Sequence, residues 1–162
     1  MISVRPPTPS DFKAWEQLWQ GYCDFYEESV PPVVTENTWA RLLAEESPLF
    51  CFLATDENGS VVGFANCVVH AGTWSKRDMC YLEDLFVAPE ARGKGGGRAL
   101  IEAVVDKART RGWQRVYWQT KRDNDTARAL YEKITAASDW VIYEVSTRRL
   151  DPKPHSRHVI KP

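Results

Sequence analysis

Apolar residues recur along this chain with two periods, and each marks a kind of element. Phe12, Trp15, Leu18, Trp19, Tyr22, Phe25 and Tyr26 return at helical spacing, which predicts a helix from a cap at Ser10 to about residue 28. Its face is unusually aromatic, and two readings are open: core packing, or the wall of an acceptor pocket. Tyr22 and Tyr26 would belong to that wall, with Asp24, Glu27 and Glu28 beside them to supply charge. Pro31 and Pro32 break the pattern. A second helix, capped by Thr35, carries Trp39, Leu42 and Leu43 to about residue 46. Residues 2–5 read as a short first strand, and 49–55 as a buried one. Asp56-Glu57-Asn58-Gly59 is a hairpin turn, since Asn-Gly accepts positive φ. Its partner strand covers 61–70, and a third strand follows over about 80–87. Strands joined in such a meander pair antiparallel.

Farther on, Leu100, Ile101, Val104, Val105 and Ala108 give an apolar stripe to a helix that Gly112 ends. A strand is predicted at 114–120. Asp123-Asn124-Asp125 caps a helix with Ala127, Leu130, Tyr131 and Ile134 on one face, and a last strand is predicted at 140–146. The order implies an α/β fold, a mixed and mostly antiparallel sheet with helices on both faces.

Composition narrows this picture without redirecting it. With 162 residues, 43% apolar and 27% charged, the chain reads as one globular domain over 1–150. Residues 151–162 hold Pro152, Pro154 and Pro162 and read as a loose tail. No apolar run approaches the roughly eighteen residues of a membrane span, and Met-Ile-Ser-Val-Arg-Pro-Pro does not open like a signal peptide. Cys23, Cys51, Cys67 and Cys80 are scattered, with only three histidines. The expectation is a cytoplasmic protein with reduced thiols, no metal and no membrane partner.

Charge adds something the periodicity lacks. Residues 1–90 carry five Lys/Arg against fourteen Asp/Glu, and residues 91–162 carry sixteen against eight. The acidic half favours cations and the basic half anions. The basic residues are spread along helices without interleaved aromatics, so no nucleic-acid partner is expected.

The sign changes at residues 81–98, Tyr-Leu-Glu-Asp-Leu-Phe-Val-Ala-Pro-Glu-Ala-Arg-Gly-Lys-Gly-Gly-Gly-Arg. Strand, glycine turn and helix start follow one another there. Glycines let N–H groups converge at the positive end of a helix dipole, which suits a phosphorylated cofactor. A nucleotide P-loop fails, because Gly95 follows Lys94 where Ser or Thr is needed. A dinucleotide fingerprint fails too, because the next strand ends in Thr120-Lys121 and not in an acidic residue.

The flanks supply a better match. Val87-x-Pro89-x-x-Arg92-Gly93-Lys94-Gly95-Gly96-Gly97, followed by Leu100, resembles motif A of the GNAT superfamily of N-acetyltransferases. Asn124-x-x-Ala127-Arg128-x-Leu130-Tyr131 is similar to that family's motif B. Residues 81–87 resemble the polyamine/diamine acetyltransferase and HPA2-like branch. Two departures stand out. Gly96 replaces the usual Ile, Leu or Val, which adds chain entropy of roughly 0.5–1 kcal/mol. The Leu-Gly-Phe common after motif B is missing, so the path from the last helix to the last strand should differ.

The resemblance implies acetyl-CoA as donor and a GNAT-like fold. Backbone N–H groups of Gly93, Gly95, Gly96 and Gly97 would hold the pyrophosphate, with Arg92, Lys94 and Arg98 adding positive charge. Leu85, Phe86 and Val87 would pair with the pantetheine arm as an added strand does, and Asn124 would bond it from the far side. Tyr131 would be the general acid toward the departing thiolate; the other reading is a core tyrosine. The acceptor, an amine of pKa about 10.4, must lose a proton before it attacks. Glu83 matches the base proposed for the polyamine branch and alternates with Tyr81, Leu85 and Val87, while Asp84 should point away; a structural ion pair is the other reading of Glu83. The expected acceptor is a small cationic amine or polyamine, drawn by Tyr22, Asp24, Tyr26, Glu27, Glu28 and Glu83. A protein or peptide lysine, an amino acid or antibiotic amine, and a non-catalytic acyl-CoA-binding module are the alternatives. Family members are often homodimers, and the same is expected here.

Overall fold

The computed structural model describes residues 1–147. Five strands lie side by side in chain order: β1 (Ser3–Arg5), β2 (Leu49–Thr55), β3 (Val61–His70), β4 (Met79–Val87) and β5 (Val116–Tyr117). The first four pair antiparallel and β5 joins β4 parallel. The mixed α/β sheet therefore forms as predicted. The β2–β3 turn is held by Asp56, whose Oδ1 accepts from Asn58 and Ser60 N–H, with Gly59 at φ 80°.

Alternation along β2 sorts its residues between two cores. Cys51 and Leu53 face α1 (Phe12–Phe25) and α2 (Pro32–Leu43), while Phe50, Phe52 and Ala54 face α3 (Gly96–Arg111). On the first side Trp15 is fully buried, stacked on Trp19 at 5.6 Å and 5.0 Å from Trp39. On the second, Leu100, Ile101 and Val104 of α3 are buried against Ala65, Cys67, Cys80 and Leu82. A short helix, α4 (Asp125–Tyr131), sends Leu130 and Tyr131 to the edge of this second core. No helix among the described residues is long and apolar enough to cross a membrane.

Several boundaries differ from the periodicity. A 3-10 turn, Pro9–Asp11, occupies the expected cap at Ser10, so α1 starts at Phe12. That helix ends at Phe25 because Glu27 turns to φ 57°. Pro32 opens α2, where its missing N–H costs no hydrogen bond; Thr35 lies inside, accepting from Trp19 Nε1 at 3.3 Å. Of the strand predicted at 114–120 only Val116–Tyr117 pairs. The strand predicted at 140–146 does not form among the described residues. The ladder on β5 stops at Tyr117, and Trp140 and Tyr143 stay 78% and 90% exposed. The tail predicted at 151–162 lies outside the described residues.

Arg5 ties the first strand to α1. Its Nη1 and Nη2 donate to both oxygens of Asp11 at 2.8 Å, and Thr8 N–H donates at 2.7 Å. These bonds hold the buried Asp11 carboxyl well below the usual carboxylate range. Because the folded value is depressed, the contribution is present above pH ~4 and is lost as pH falls. Asp11→Asn should cost about 1–3 kcal/mol at pH 7, with a smaller gap from wild type at pH 3, measured by urea unfolding at both pH values.

Candidate active site

The site grows out of two irregularities in β4. On its β3 side the register slips: Asn66 faces Asp84 but Cys67 faces Leu82, leaving Glu83 as the extra residue of a bulge. A bulge resets the period-two alternation. Leu82, Leu85 and Val87 pack toward α3, whereas Tyr81 and Asp84 turn toward Tyr22 of α1. The predicted alternation of Glu83 with Tyr81, Leu85 and Val87 is therefore broken, and Glu83 is exposed while Asp84 is largely buried. On the other side β5 pairs only at Cys80–Val116 and Tyr81–Tyr117. Beyond Tyr81 that edge of β4 opens into a cleft of about 970 Å³, with Leu85, Phe86 and Val87 in its wall.

A glycine loop closes one end of this cleft. Arg92 folds back, its Nε donating to the Val87 carbonyl at 3.1 Å and its guanidinium 5.7 Å from the Phe86 ring centroid. Gly93 and Gly95 sit at φ 77° and 88°, where a side chain is strained. α3 begins at Gly96, so the N–H groups of Gly96, Gly97 and Arg98 have no intrahelical acceptor and lie at the positive end of the dipole. All three residues line the cleft. This donor set fits a pyrophosphate, and the open strand edge fits an arm bearing amides. Gly96 leaves room: a Cβ there would lie 3.5 Å from Val87 Cγ2, ordinary contact, whereas one at Gly97 would meet Leu130 at 3.0 Å.

The far wall comes from α1 and α4. Asn124 caps α4, Oδ1 accepting from Ala127 N–H at 3.3 Å and Nδ2 donating to Thr120 Oγ1 at 3.1 Å. One of its amide hydrogens is left for a ligand. Tyr131 stands edge-on to Trp118, and burial, with Tyr26 nearby, pushes its phenol up to about 12. Tyr22 and Tyr26, with ring centroids 4.9 Å apart, complete the wall. The aromatic face of α1 is thus divided, with Trp15 in the core and Tyr22 and Tyr26 lining the cleft.

Beneath Tyr22 lies a buried polar chain. Trp15 Nε1 donates to Asn66 Oδ1 at 3.3 Å, and Asn66 Nδ2 donates to Asp84 Oδ2 at 3.1 Å. Burial raises the Tyr22 pKa, and the nearby Asp84 charge adds to the rise. Burial also pushes Asp84 up to about 6, against the opposing hydrogen bond from Asn66.

Of the residues singled out from sequence, Tyr22, Tyr26, Leu85, Phe86, Val87, Arg92, Gly93, Gly95, Gly96, Gly97, Arg98, Asn124 and Tyr131 meet in one cleft. Lys94, Asp24, Glu27, Glu28 and Glu83 lie outside its wall. Asp24 faces away and accepts from Gln20 Nε2 at 2.8 Å. Sequence reasoning missed Lys121, whose ammonium lies 5.4 Å from the Tyr26 ring centroid. Its position just past a predicted strand end facing the cleft was the available signal. It also set Asp84 aside, because no sequence pattern marks the bulge.

Comparison with known proteins agrees with this geometry. The family model described as acetyltransferase (GNAT) family matches residues 15–135. The D-amino-acid N-acetyltransferase HPA3 of Saccharomyces cerevisiae is 38% identical over 144 residues, 88% of this chain and 89% of that protein. The L-2,4-diaminobutyric acid acetyltransferase of Halomonas elongata is 28% identical over 82% of this chain and 64% of its own length. The solved structure of a ribosomal-protein-alanine N-acetyltransferase from Brucella melitensis biovar Abortus 2308 shares the fold, with TM-score 0.76 at 24% identity, covering 90% of this chain and 99% of that one. So does AAC(6')-Iy in complex with the bisubstrate analog CoA-S-monomethyl-acetylneamine, with TM-score 0.73 at 20% identity, covering 91% of this chain and 99% of that one. The chain belongs to the acetyltransferase (GNAT) family. Its class of activity is acetyl-CoA-dependent N-acetyl transfer.

Two substitutions separate the roles of the loop glycines. Gly96→Ala should raise stability by about 0.5–1 kcal/mol and leave CoA affinity intact, since the backbone there is already helical. Gly95→Ala should lower stability by about 1 kcal/mol or more and weaken CoA binding, because it forces a side chain into positive φ. Thermal unfolding and calorimetric titration with CoA check both. For Asp84 the folded pKa lies above the unfolded one, so its charge costs stability as pH rises through about 6. Asp84→Asn should therefore be the more stable protein at pH 8, by on the order of 2–3 kcal/mol, with the advantage gone near pH 4. Urea unfolding at both pH values is the check.

Proposed function

We propose that this cleft transfers the acetyl group of acetyl-CoA directly to the primary amine of a small, cationic acceptor. The observation that carries the reading is that the N–H cradle at Gly96–Arg98, the open edge at residues 85–87, Tyr22 and Tyr131 share one cleft. When bound, acetyl-CoA supplies a thioester carbon open to attack by a neutral amine. Gly93, Gly95, Gly96, Gly97 and Arg98 hold the pyrophosphate, and Lys94 adds charge at the loop. The open backbone edge at Leu85, Phe86 and Val87, with the free amide hydrogen of Asn124, orients the arm.

Tyr131, in the cleft wall, would face the departing sulfur. A phenol near 12 remains protonated throughout the physiological range. Full proton transfer from it to a thiolate of pKa about 8.5 runs uphill by roughly 3–4 pK units. Its role is therefore mainly that of a hydrogen-bond donor to the sulfur as charge develops there. All four cysteines are buried, which supports direct transfer over an acyl-cysteine route. Glu27, Glu28 and Glu83, outside the cleft wall, would act on a cationic acceptor only through their charge.

An α-amino acid is a second acceptor class, favoured by a specific feature. Lys121 in the cleft wall offers an ammonium to a carboxylate, and two of the similar proteins are named for amino-acid substrates.

The test is thiol release from acetyl-CoA with diamines, polyamines, α-amino acids and lysine peptides. Turnover is expected with the small amines and should exceed that with peptides. Tyr131→Phe should lose about 10- to 100-fold in kcat while binding CoA as wild type does. Tight CoA binding with no turnover on any of these amines contradicts the reading.

A further inference from the structure

Within the proposed course of the donor's arm along β4, we propose that the Arg92 side chain guards the backbone edge where the arm lies, and so selects donors that carry a diphosphate. The pairing of β4 with β3 decides which groups of that edge are free. Ala88 N–H donates to the Val62 carbonyl at 2.9 Å. In the same register Val87 faces Gly63, Phe86 faces Phe64 and Leu85 faces Ala65. Hydrogen-bonded and non-bonded pairs alternate along an antiparallel ladder. Phe86 therefore uses its N–H and carbonyl on Phe64, while Leu85 and Val87 turn theirs away from β3. On that far side β5 has parted from β4 beyond Tyr81. The open edge thus offers two donors and two acceptors, at Leu85 and Val87.

One of these four groups is already engaged. Arg92 Nε donates to the Val87 carbonyl at 3.1 Å, with the guanidinium 5.7 Å from the Phe86 ring centroid. An amide N–H of an arm lying beside β4 as an added strand needs the same carbonyl. Side chain and arm therefore compete for it. Little else holds the guanidinium. Among the described residues Arg92 forms no ion pair, and its side chain makes no second hydrogen bond. Four of its five N–H donors are left over. Arg92 immediately precedes Gly93 and lines the cleft together with Gly95, Gly96, Gly97 and Arg98. A diphosphate on that cradle offers the guanidinium a charged acceptor, stronger than a carbonyl. Occupation of the cradle draws Arg92 from Val87 and clears the edge. An arm that arrives without a diphosphate must displace the side chain unaided. The bland alternative is that Arg92 only fastens the end of β4 and stays there, sharing a carbonyl that has two lone pairs.

Three probes separate these accounts: pantetheine carries the arm alone, ADP the diphosphate alone, and CoA both. Calorimetry and amide chemical shifts give their affinities for wild type and for Arg92→Met, which keeps an unbranched stem beside Phe86 but no donor. Arg92→Met should bind pantetheine about 3- to 10-fold more tightly, because the competing bond is gone. It should bind ADP about 3- to 10-fold more weakly, because the charge is gone. The carbonyl carbon-13 resonance of Val87 reports the guarded bond directly. In wild type it should move upfield on saturation with ADP, as a carbonyl's does when it loses a donor, although no arm is present. That measurement uses the wild-type protein and so decides the matter even if Arg92→Met folds poorly. No gain in pantetheine binding by a folded Arg92→Met, or a Val87 resonance that ADP leaves in place, overturns the role of Arg92 alone. CoA binding with no shift at the Leu85 and Val87 amides overturns the course of the arm, and the role of Arg92 with it.

Discussion

The two edges of β4 are satisfied unequally. β3 accompanies it from Met79 to Val87, but β5 leaves after Tyr81. A strand cannot leave backbone donors and acceptors facing an apolar interior without a partner, so the parting forces a gap that is polar along one wall. The glycine loop and α3 close that gap at one end and α4 closes it along the other side. The cleft is therefore a consequence of where the sheet stops being continuous.

A second departure from regular pairing governs the charges. The bulge at Glu83 moves Asp84 from the face predicted for it to the face of Tyr22, into a setting where a carboxylate is costly. It moves Glu83 out to solvent instead. Two adjacent carboxyls thus acquire opposite environments from a single inserted residue, one exposed to solvent and the other largely buried.

Much of this was legible in the sequence because it rests on local chemistry. Positive φ at Gly93 and Gly95, the apolar stripe of α3 and the Asn124 cap each follow from residue type and spacing. So does the antiparallel meander, since Asn58-Gly59 leaves the chain little choice. What could not be read depends on partners distant in sequence. Whether Glu83 or Asp84 faces α1 is decided by the register against Asn66 and Cys67, which no periodicity in β4 records. The strand predicted at 140–146 has residues suited to pairing, yet among the described residues it pairs with no strand. Lys121 becomes part of the cleft because Tyr26, almost a hundred positions earlier in the chain, lies beside it.

The central claim is that the parting of β4 from β5 is where the cofactor's arm lies. Site-resolved amide hydrogen exchange, with and without saturating CoA, tests it directly. Strong slowing at residues 85–87 together with residues 93–98, and little change in β1 and β2, is the expected result. Unchanged exchange at residues 85–87 when CoA is bound, or protection confined to another face of the sheet, would contradict it.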